Sequence, residues 1–344
     1  MSRRDPDPTL NDTPYQTDSF HQMPYRRLGD SGLQVSSIGV GTWKFGYPET
    51  GDGSRSDEAT SLAVLDVSYA AGAVFWDTAN RYNNGSGNAE RIIGTWFENH
   101  PERRRDIVLG TKVHGGMDGI TPNHSGLSRL QVTEAVKACR QRLGVEWIDL
   151  LWFHRFDDQT PVEESLETVA DVVQRGWVHY FAVSNVTPGN LSRYLEVSGR
   201  VSRRCRPVAV QNRFDPLHGE QHPGVLEICR EQGLSYVPYS PLAGGLLSDR
   251  YLHADQVKAG DRLRDEGTEV TDADRLALGR LTELSQQWQV PVSQLALAYT
   301  LTLPGMGPQI PSSSTPAQAE RNAAAGKLQL TAEQVAALAE VFVS

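Results

Sequence analysis

Eight times along this chain a short apolar run, bounded by Gly, Pro, Asn or Asp, gives way to a longer segment of helical period. That alternation constrains the fold more than any other feature, because parallel strands must be joined by long crossovers and a helix is the usual one. The strand-like runs are Ser37 to Gly41, Val74 to Asp77, Ile107 to Lys112, Ile148 to His154, Tyr180 to Ser184, Val208 to Gln211, Ser235 to Tyr239 and Gly307 to Pro311. The helical segments are Asp57 to Ala71, Gly87 to Asn99, Ser128 to Leu143, Pro161 to Arg175, Thr187 to Val197, Gly224 to Gln232, Ser293 to Leu303 and Thr315 to Ala325. Thr160 before Pro161 and Thr187 before Pro188 read as N-caps followed by a proline in the first turn. Gly72, Gly144, Gly176 and Gly233 fall where helices should stop in a left-handed residue.

Eight such units closing on themselves make an α/β chain with a (β/α)8 TIM barrel the simplest architecture. An open doubly wound sheet is the competitor, weakened because no Gly-x-Gly-x-x-Gly follows the first strand. Ahead of the repeat, Tyr25 to Gly29 and Leu33 to Ser36 flank Asp30-Ser-Gly32, the pattern of a short N-terminal β-hairpin. Residues 1–22, rich in Asp, Pro, Thr and Asn, read as a disordered tail, leaving 23–344 as one barrel domain. Residues 248–272 read as a long loop and Asp274 to Gln287 as an added helix; long loops on this face of a barrel usually cover the active site.

Net charge restricts the partners. Lys and Arg number 33 against 42 Asp and Glu, a net −9, so no basic footprint for nucleic acid or an anionic membrane is present. No apolar run approaches the roughly 20 residues of a spanning helix, and Ser2-Arg-Arg4 is followed by Asp, Pro and Thr rather than an apolar core. Cys139, Cys205 and Cys229 are too sparse for a zinc site or redox motif and read as buried thiols. The expectation is a cytoplasmic protein with a small-molecule partner.

Three successive buried runs end in ionisable groups: Asp77, Lys112 and His154. Their intervals of 35 and 42 residues are each about one βα unit, so in a barrel all three converge on the C-terminal mouth, where such folds keep their chemistry. Later strands end in neutral hydrogen-bonding groups, Ser184-Asn185 and Gln211-Asn212, and then in Tyr239-Ser240, suited to holding and covering an amide-bearing ring. Trp43, Phe45, Trp152, Phe153 and Arg155 stand near strand ends as candidate pocket walls, although strand neighbours face opposite ways and only one of Trp152 and Phe153 can point inward. The loop from His114 to Ser125 is a further candidate wall.

The segment Phe75-Trp-Asp-Thr-Ala-Asn-Arg-Tyr-Asn-Asn-Gly85, continuing to Glu90, resembles the signature of the aldo-keto reductases. So do Leu109 to Lys112, Ile148 to His154 with Thr160 to Glu167, Phe181 to Asn185, Val210 to Asn212, Tyr239 to Leu246, and Ile310-Pro311 followed by Thr315 to Gln318 and Asn322. The motifs occur in family order over about residues 24–342.

The resemblance implies a (β/α)8 barrel and a tetrad of Asp77, Tyr82, Lys112 and His154, with Tyr82 as proton donor to a carbonyl oxygen. A lysine cation favours the phenolate, and His154 would orient the carbonyl. It also implies NADPH as cofactor, with NADH the alternative, since Ser312-Ser-Ser314 and Gln318 stand where basic residues occur in many members. The implied cofactor contacts are Thr42, Trp43 and Asp77; Ser184, Asn185 and Gln211 at the carboxamide; Tyr239 against the ring; Ser240, Pro241, Leu242, Gly244 and Leu246 along the pyrophosphate; and Ile310, Ser312, Ser314, Gln318, Arg321 and Asn322 at the adenosine. Trp43, Tyr82, His154 and Arg155 would face the substrate. A regulatory subunit that binds the cofactor on the same barrel is the other class the resemblance leaves open.

Overall fold

The computed structural model describes residues 17–117, 119–248 and 269–342. An antiparallel ribbon comes first: β1 (Ser19–Phe20), β2 (Met23–Arg27) and β3 (Gln34–Ser36). The hairpin anticipated from Tyr25 to Ser36 is β2–β3, in which Tyr25 pairs with Ser36 and Arg27 with Gln34. Gly29 holds φ at 58°, and a Cβ there would lie 2.4 Å from the carbonyl oxygen of Val208, so only glycine fits.

The expected tail gives way earlier than residue 22. Ser19 pairs with Pro24 and Phe20 with Met23, and the Phe20 ring meets Tyr69 at 5.6 Å. One aromatic anchor supplies burial that composition alone conceals. Residues 1–16 lie outside the described residues.

Seven parallel strands follow, side by side in chain order: β4 (Val40–Gly41), β5 (Phe75–Asp77), β6 (Val108–Val113), β7 (Ile148–Phe153), β8 (Val178–Ser184), β9 (Ala209–Asp215) and, beyond the short antiparallel β10 (Gly219–Glu220), β11 (Ser235–Tyr239). The eighth expected run, Gly307 to Pro311, is not a continuous strand. It makes single parallel bridges, Tyr236 with Met306 on one side and Ile38 with Gln309 and Gly41 with Ser312 on the other. Gly307 N donates to Tyr236 O at 2.7 Å, while Gly39 N donates to Gln309 O at 2.8 Å. Pro304, Pro308 and Pro311 carry no N–H, which interrupts a ladder in this stretch.

Helices cover the outer face: α1 (Glu58–Ala70), α2 (Asn88–Asn99), α3 (Arg129–Leu143), α4 (Val162–Gln174), α5 (Pro188–Val201), α6 (Val225–Glu231), α7 (Asp272–Trp288), α8 (Val292–Thr302), α9 (Pro316–Ala324) and α10 (Ala332–Phe342). Thr187 caps α5 by accepting from Asn190 N. Thr160 caps nothing: α4 begins one residue later, behind Pro161, and the Thr160 hydroxyl donates to Asp157 Oδ2 at 2.7 Å. Gly72, Gly144, Gly176 and Gly233 all take positive φ as anticipated. Of the segment 248–272, residues 249–268 lie outside the described residues; its end, Thr271, closes a capping box with Asp274 at the start of α7. Helix α10 was not anticipated; its Leu338 and Val341 are buried with α7 and α8.

Strand periodicity sorts the core into two layers. Trp76, Leu109, Leu151, Phe153, Val183 and Val210 face outward into the helices, whereas Phe75, Leu150, Trp152, Ala182, Ala209, Val237 and Ile310 cluster together on the inner side. Leu28 and Val35 from the β2–β3 hairpin belong to that inner cluster and plug its far end. No helix among the described residues is long and apolar enough to cross a membrane. Cys139, Cys205 and Cys229 are free and buried.

Candidate active site

Two residues along each strand from the inner apolar layer, the next inward positions are Asp77, Lys112, His154, Ser184, Gln211 and Tyr239. All six line one cavity of about 710 Å³ together with Tyr82. Lys112 Nζ sits at its base. It pairs with Asp77 Oδ2, donates to Thr78 O at 2.9 Å and donates to the Tyr82 hydroxyl at 2.7 Å. The Tyr82 and His154 rings meet edge to face, 5.9 Å between centroids. Asp77 is fixed further: its Oδ1 accepts from Gln211 Nε2 at 2.9 Å, and its carbonyl accepts from Thr42 N and Oγ1, both at 3.0 Å.

Burial sets the protonation states. It pushes the Asp77 carboxyl up and the Lys112 ammonium down, each against the attraction of the other. Desolvation, and then the Asp77 charge, hold the Tyr82 hydroxyl well above its ordinary value, so at neutral pH it carries its proton. Lys112 Nζ, 2.7 Å from that oxygen, stands where a cation would stabilise a phenolate. Desolvation, aided by Lys112, pulls His154 down to about 3, leaving a neutral imidazole.

The wall beside the tetrad is a hydrogen-bonded chain. Ser184 Oγ donates to Gln211 O at 2.7 Å, Asn185 Nδ2 to Ser184 Oγ and His154 O at 3.1 and 2.8 Å, and Tyr239 OH to Asn185 Oδ1 at 2.9 Å. Asn185 and Ser240 hold positive φ of 53° and 56°, which turns both loops toward the cavity. On the next wall Ala243, Gly244 and Gly245 also take positive φ, at 49°, 69° and 106°, and bring backbone close to the lumen. Ser312, Ser313, Ser314, Gln318, Arg321 and Asn322 form the far end. Ser314 N and Oγ both reach Gln318 Oε1 at 2.9 Å, and Asn322 Nδ2 donates to Ser313 Oγ at 3.0 Å.

The structure brings together Asp77, Tyr82, Lys112, His154, Trp43, Phe45, Ser184, Asn185, Gln211, Tyr239, Ser240, Pro241, Leu242, Gly244, Ile310, Ser312, Ser314, Gln318, Arg321 and Asn322. Other candidates lie elsewhere. Thr42 is buried behind Asp77, and Leu246 points into the cluster under α7 and α8. Arg155 is exposed and does not border the cavity, nor do the described residues from His114 to Ser125. Phe153 faces outward, 4.7 Å from Phe181, while Trp152 points inward but stays in the apolar layer below. Sequence reasoning missed Lys44, Arg55, Ser248 and Ser293, which reach the lumen from loops or a helix end and carry no strand-end signal.

Among the described residues the lining carries Lys44, Arg55, Lys112 and Arg321 and the carboxylate of Asp77, in a chain of net charge −9. A cavity with that charge, a glycine-rich wall and an amide-bearing wall fits a phosphate-containing dinucleotide. Among the described residues no group of three or more His, Cys, Asp or Glu is arranged to hold a metal ion.

Comparison with known proteins agrees with this arrangement. Residues 37–342 match the model of the Aldo/keto reductase family. The chain is 30% identical over 341 residues to a versiconal hemiacetal acetate reductase of Aspergillus parasiticus, covering 93% of this chain and 97% of that one. It is 31% identical over 300 residues to the aldo-keto reductase AMT2 of Alternaria alternata, covering 80% of each. A probable voltage-gated potassium channel subunit beta of Arabidopsis thaliana is 28% identical over 307 residues, 87% of this chain and 90% of that protein. The family match over residues 37–342, on a fold that gathers a buried Asp–Lys–Tyr cluster in the lining of a cavity of about 710 Å³, shows that this chain belongs to the aldo/keto reductase family.

Proposed function

We propose that the protein reduces an aldehyde, ketone or sugar-type carbonyl to an alcohol, with NADPH as the reductant and Tyr82 as the general acid. The observation that carries this reading is the 2.7 Å hydrogen bond from Lys112 Nζ to the Tyr82 hydroxyl, inside a cavity shared with His154. When bound, NADPH supplies a hydride to the carbonyl carbon. Tyr82 delivers its proton to the carbonyl oxygen, completing the alcohol, and the phenolate left behind is stabilised by Lys112 until solvent returns a proton. Asp77 holds Lys112 oriented. His154, neutral in its buried setting, donates a hydrogen bond to the same oxygen and fixes its angle. Asn185 and Gln211 would hold the carboxamide, with Tyr239 against the ring and the 240–246 and 310–322 walls along the phosphates and adenosine.

We further infer that residues 305–312 act as the eighth strand and close a (β/α)8 barrel; their backbone bonds to β11 on one side and to residues 37–41 on the other support this. A second reading, a cofactor-binding regulatory subunit, draws on the likeness to the channel-subunit protein. The discriminating experiment follows the loss of NADPH absorbance with a panel of aldehydes, ketones and sugars, repeated with NADH. Turnover with any carbonyl is expected; tight NADPH binding with no turnover across the panel would favour the regulatory reading, and no binding would remove both.

A further inference from the structure

Resting on the reading that the cavity takes a nicotinamide dinucleotide, we infer that Ser293, with the N-terminus of α8, seats the adenosine 2′-phosphate and so decides between NADPH and NADH. Ser293 occupies the second position of α8, an 11-residue helix that starts behind Pro291 with no side-chain cap. Gln294 N and Leu295 N donate to Pro291 O at 3.0 and 3.1 Å, so the first-turn amide that points to a ligand is that of Ser293 itself, at the positive end of the helix dipole. Ser293 is 97% buried, borders the cavity, and its hydroxyl has no hydrogen-bond partner among the described residues. A buried hydroxyl left unpaired is uncommon in native proteins and calls for a ligand or water that the lining awaits.

The neighbours identify which part of a dinucleotide it meets. Gln294 Nε2 donates to the Arg321 carbonyl at 3.1 Å, so the start of α8 abuts α9, which carries Gln318, Arg321 and Asn322 of the far wall. In that wall Ser314 Oγ donates to Gln318 Oε1, while Ser313 Oγ accepts from Asn322 Nδ2. That loop carries hydroxyls but no basic residue, and Ser293 adds a further donor from a different element. A phosphate monoester accepting from Ser293 Oγ and Ser293 N, on the side of the cavity that Arg321 also lines, meets hydroxyl, amide and cation together.

The test is equilibrium binding of NADPH, NADH, adenosine 2′,5′-bisphosphate and AMP to the full chain and its variants, with no turnover required. For Ser293→Ala, NADPH and the bisphosphate are expected to weaken about tenfold, while NADH and AMP stay within about twofold. Ser293→Asp, which places a carboxylate against the monoester but suits a helix start, is expected to abolish the preference for NADPH while NADH binding persists. Equal weakening of both dinucleotides would assign Ser293 to the pyrophosphate or to scaffolding and overturn the inference, as would unchanged binding of all four. Failure of the unmodified chain to bind either dinucleotide would refute the underlying reading, and the inference with it.

Discussion

A phenol whose hydroxyl is held above its ordinary value is useful as an acid only if something waits to receive the anion, and Lys112 is placed to do so at 2.7 Å. Tyr82→Phe deletes the proton and leaves the ring, so reduction is expected to fall by roughly 10²–10⁴-fold while NADPH affinity stays close to wild type; comparable turnover in the variant would refute the assignment. Lys112→Met strands the buried Asp77 carboxylate, and chemical denaturation should show a loss of about 3–5 kcal/mol. His154 contributes a pH dependence with a definite sign. Its folded value near 3 lies below the ordinary 6.5, so the stability it lends is complete above about 6.5 and drains away as pH falls toward 3. The acid limb of a stability profile should therefore flatten in His154→Gln. At this scale the convergence of Asp77, Lys112 and His154 on one cavity was legible because each ends an apolar run, whereas Ser293 and Arg55 bear no mark until the fold brings loops and helix ends together.

The elements themselves were legible where one physical signal dominated. Alternating apolar runs located seven strands, and glycine located four helix ends, because both signals are local. The run from Gly307 to Pro311 kept its position but lost its ladder, since proline removes donors whatever the apolar pattern says. Thr160 looked like a cap and is not one, because its hydroxyl finds Asp157 first. Thr187 does cap α5, and Thr187→Ala should cost about 1 kcal/mol in thermal or denaturant unfolding. Helix α7 is moored by His218, whose ring nitrogens reach Asp215 Oδ1 at 2.8 Å and Asp274 Oδ1 at 3.2 Å. The Asp215 hydrogen bond is the main force raising this imidazole above 6.5, with Asp274 adding to it. The mooring is thus complete below about 6.5 and weakens as pH climbs through the raised value. Amide protection factors in α7, taken relative to the intrinsic rate at each pH, should fall over that alkaline step, and His218→Gln should abolish the step; protection indifferent to pH in the unmodified chain would rule the mooring out.

Across the whole molecule, one cluster of side chains joins the hairpin to six strands and residue 310, and another joins the 243–247 wall to α7, α8 and α10. Pattern reading found the hairpin but not its job, which depends on contacts some two hundred residues apart, such as Gly29 N with Ser235 Oγ at 2.7 Å. Leu28→Ala, which empties part of that plug, should destabilise the fold by about 2–5 kcal/mol on denaturant titration. Leu28 and Val35 pack with Phe75, Leu150, Trp152 and Ile310, so among the described residues an apolar layer lies beneath the cavity. Under the proposed reading a dinucleotide and a carbonyl compound share this one cavity, so the order in which they arrive and leave becomes part of the working cycle.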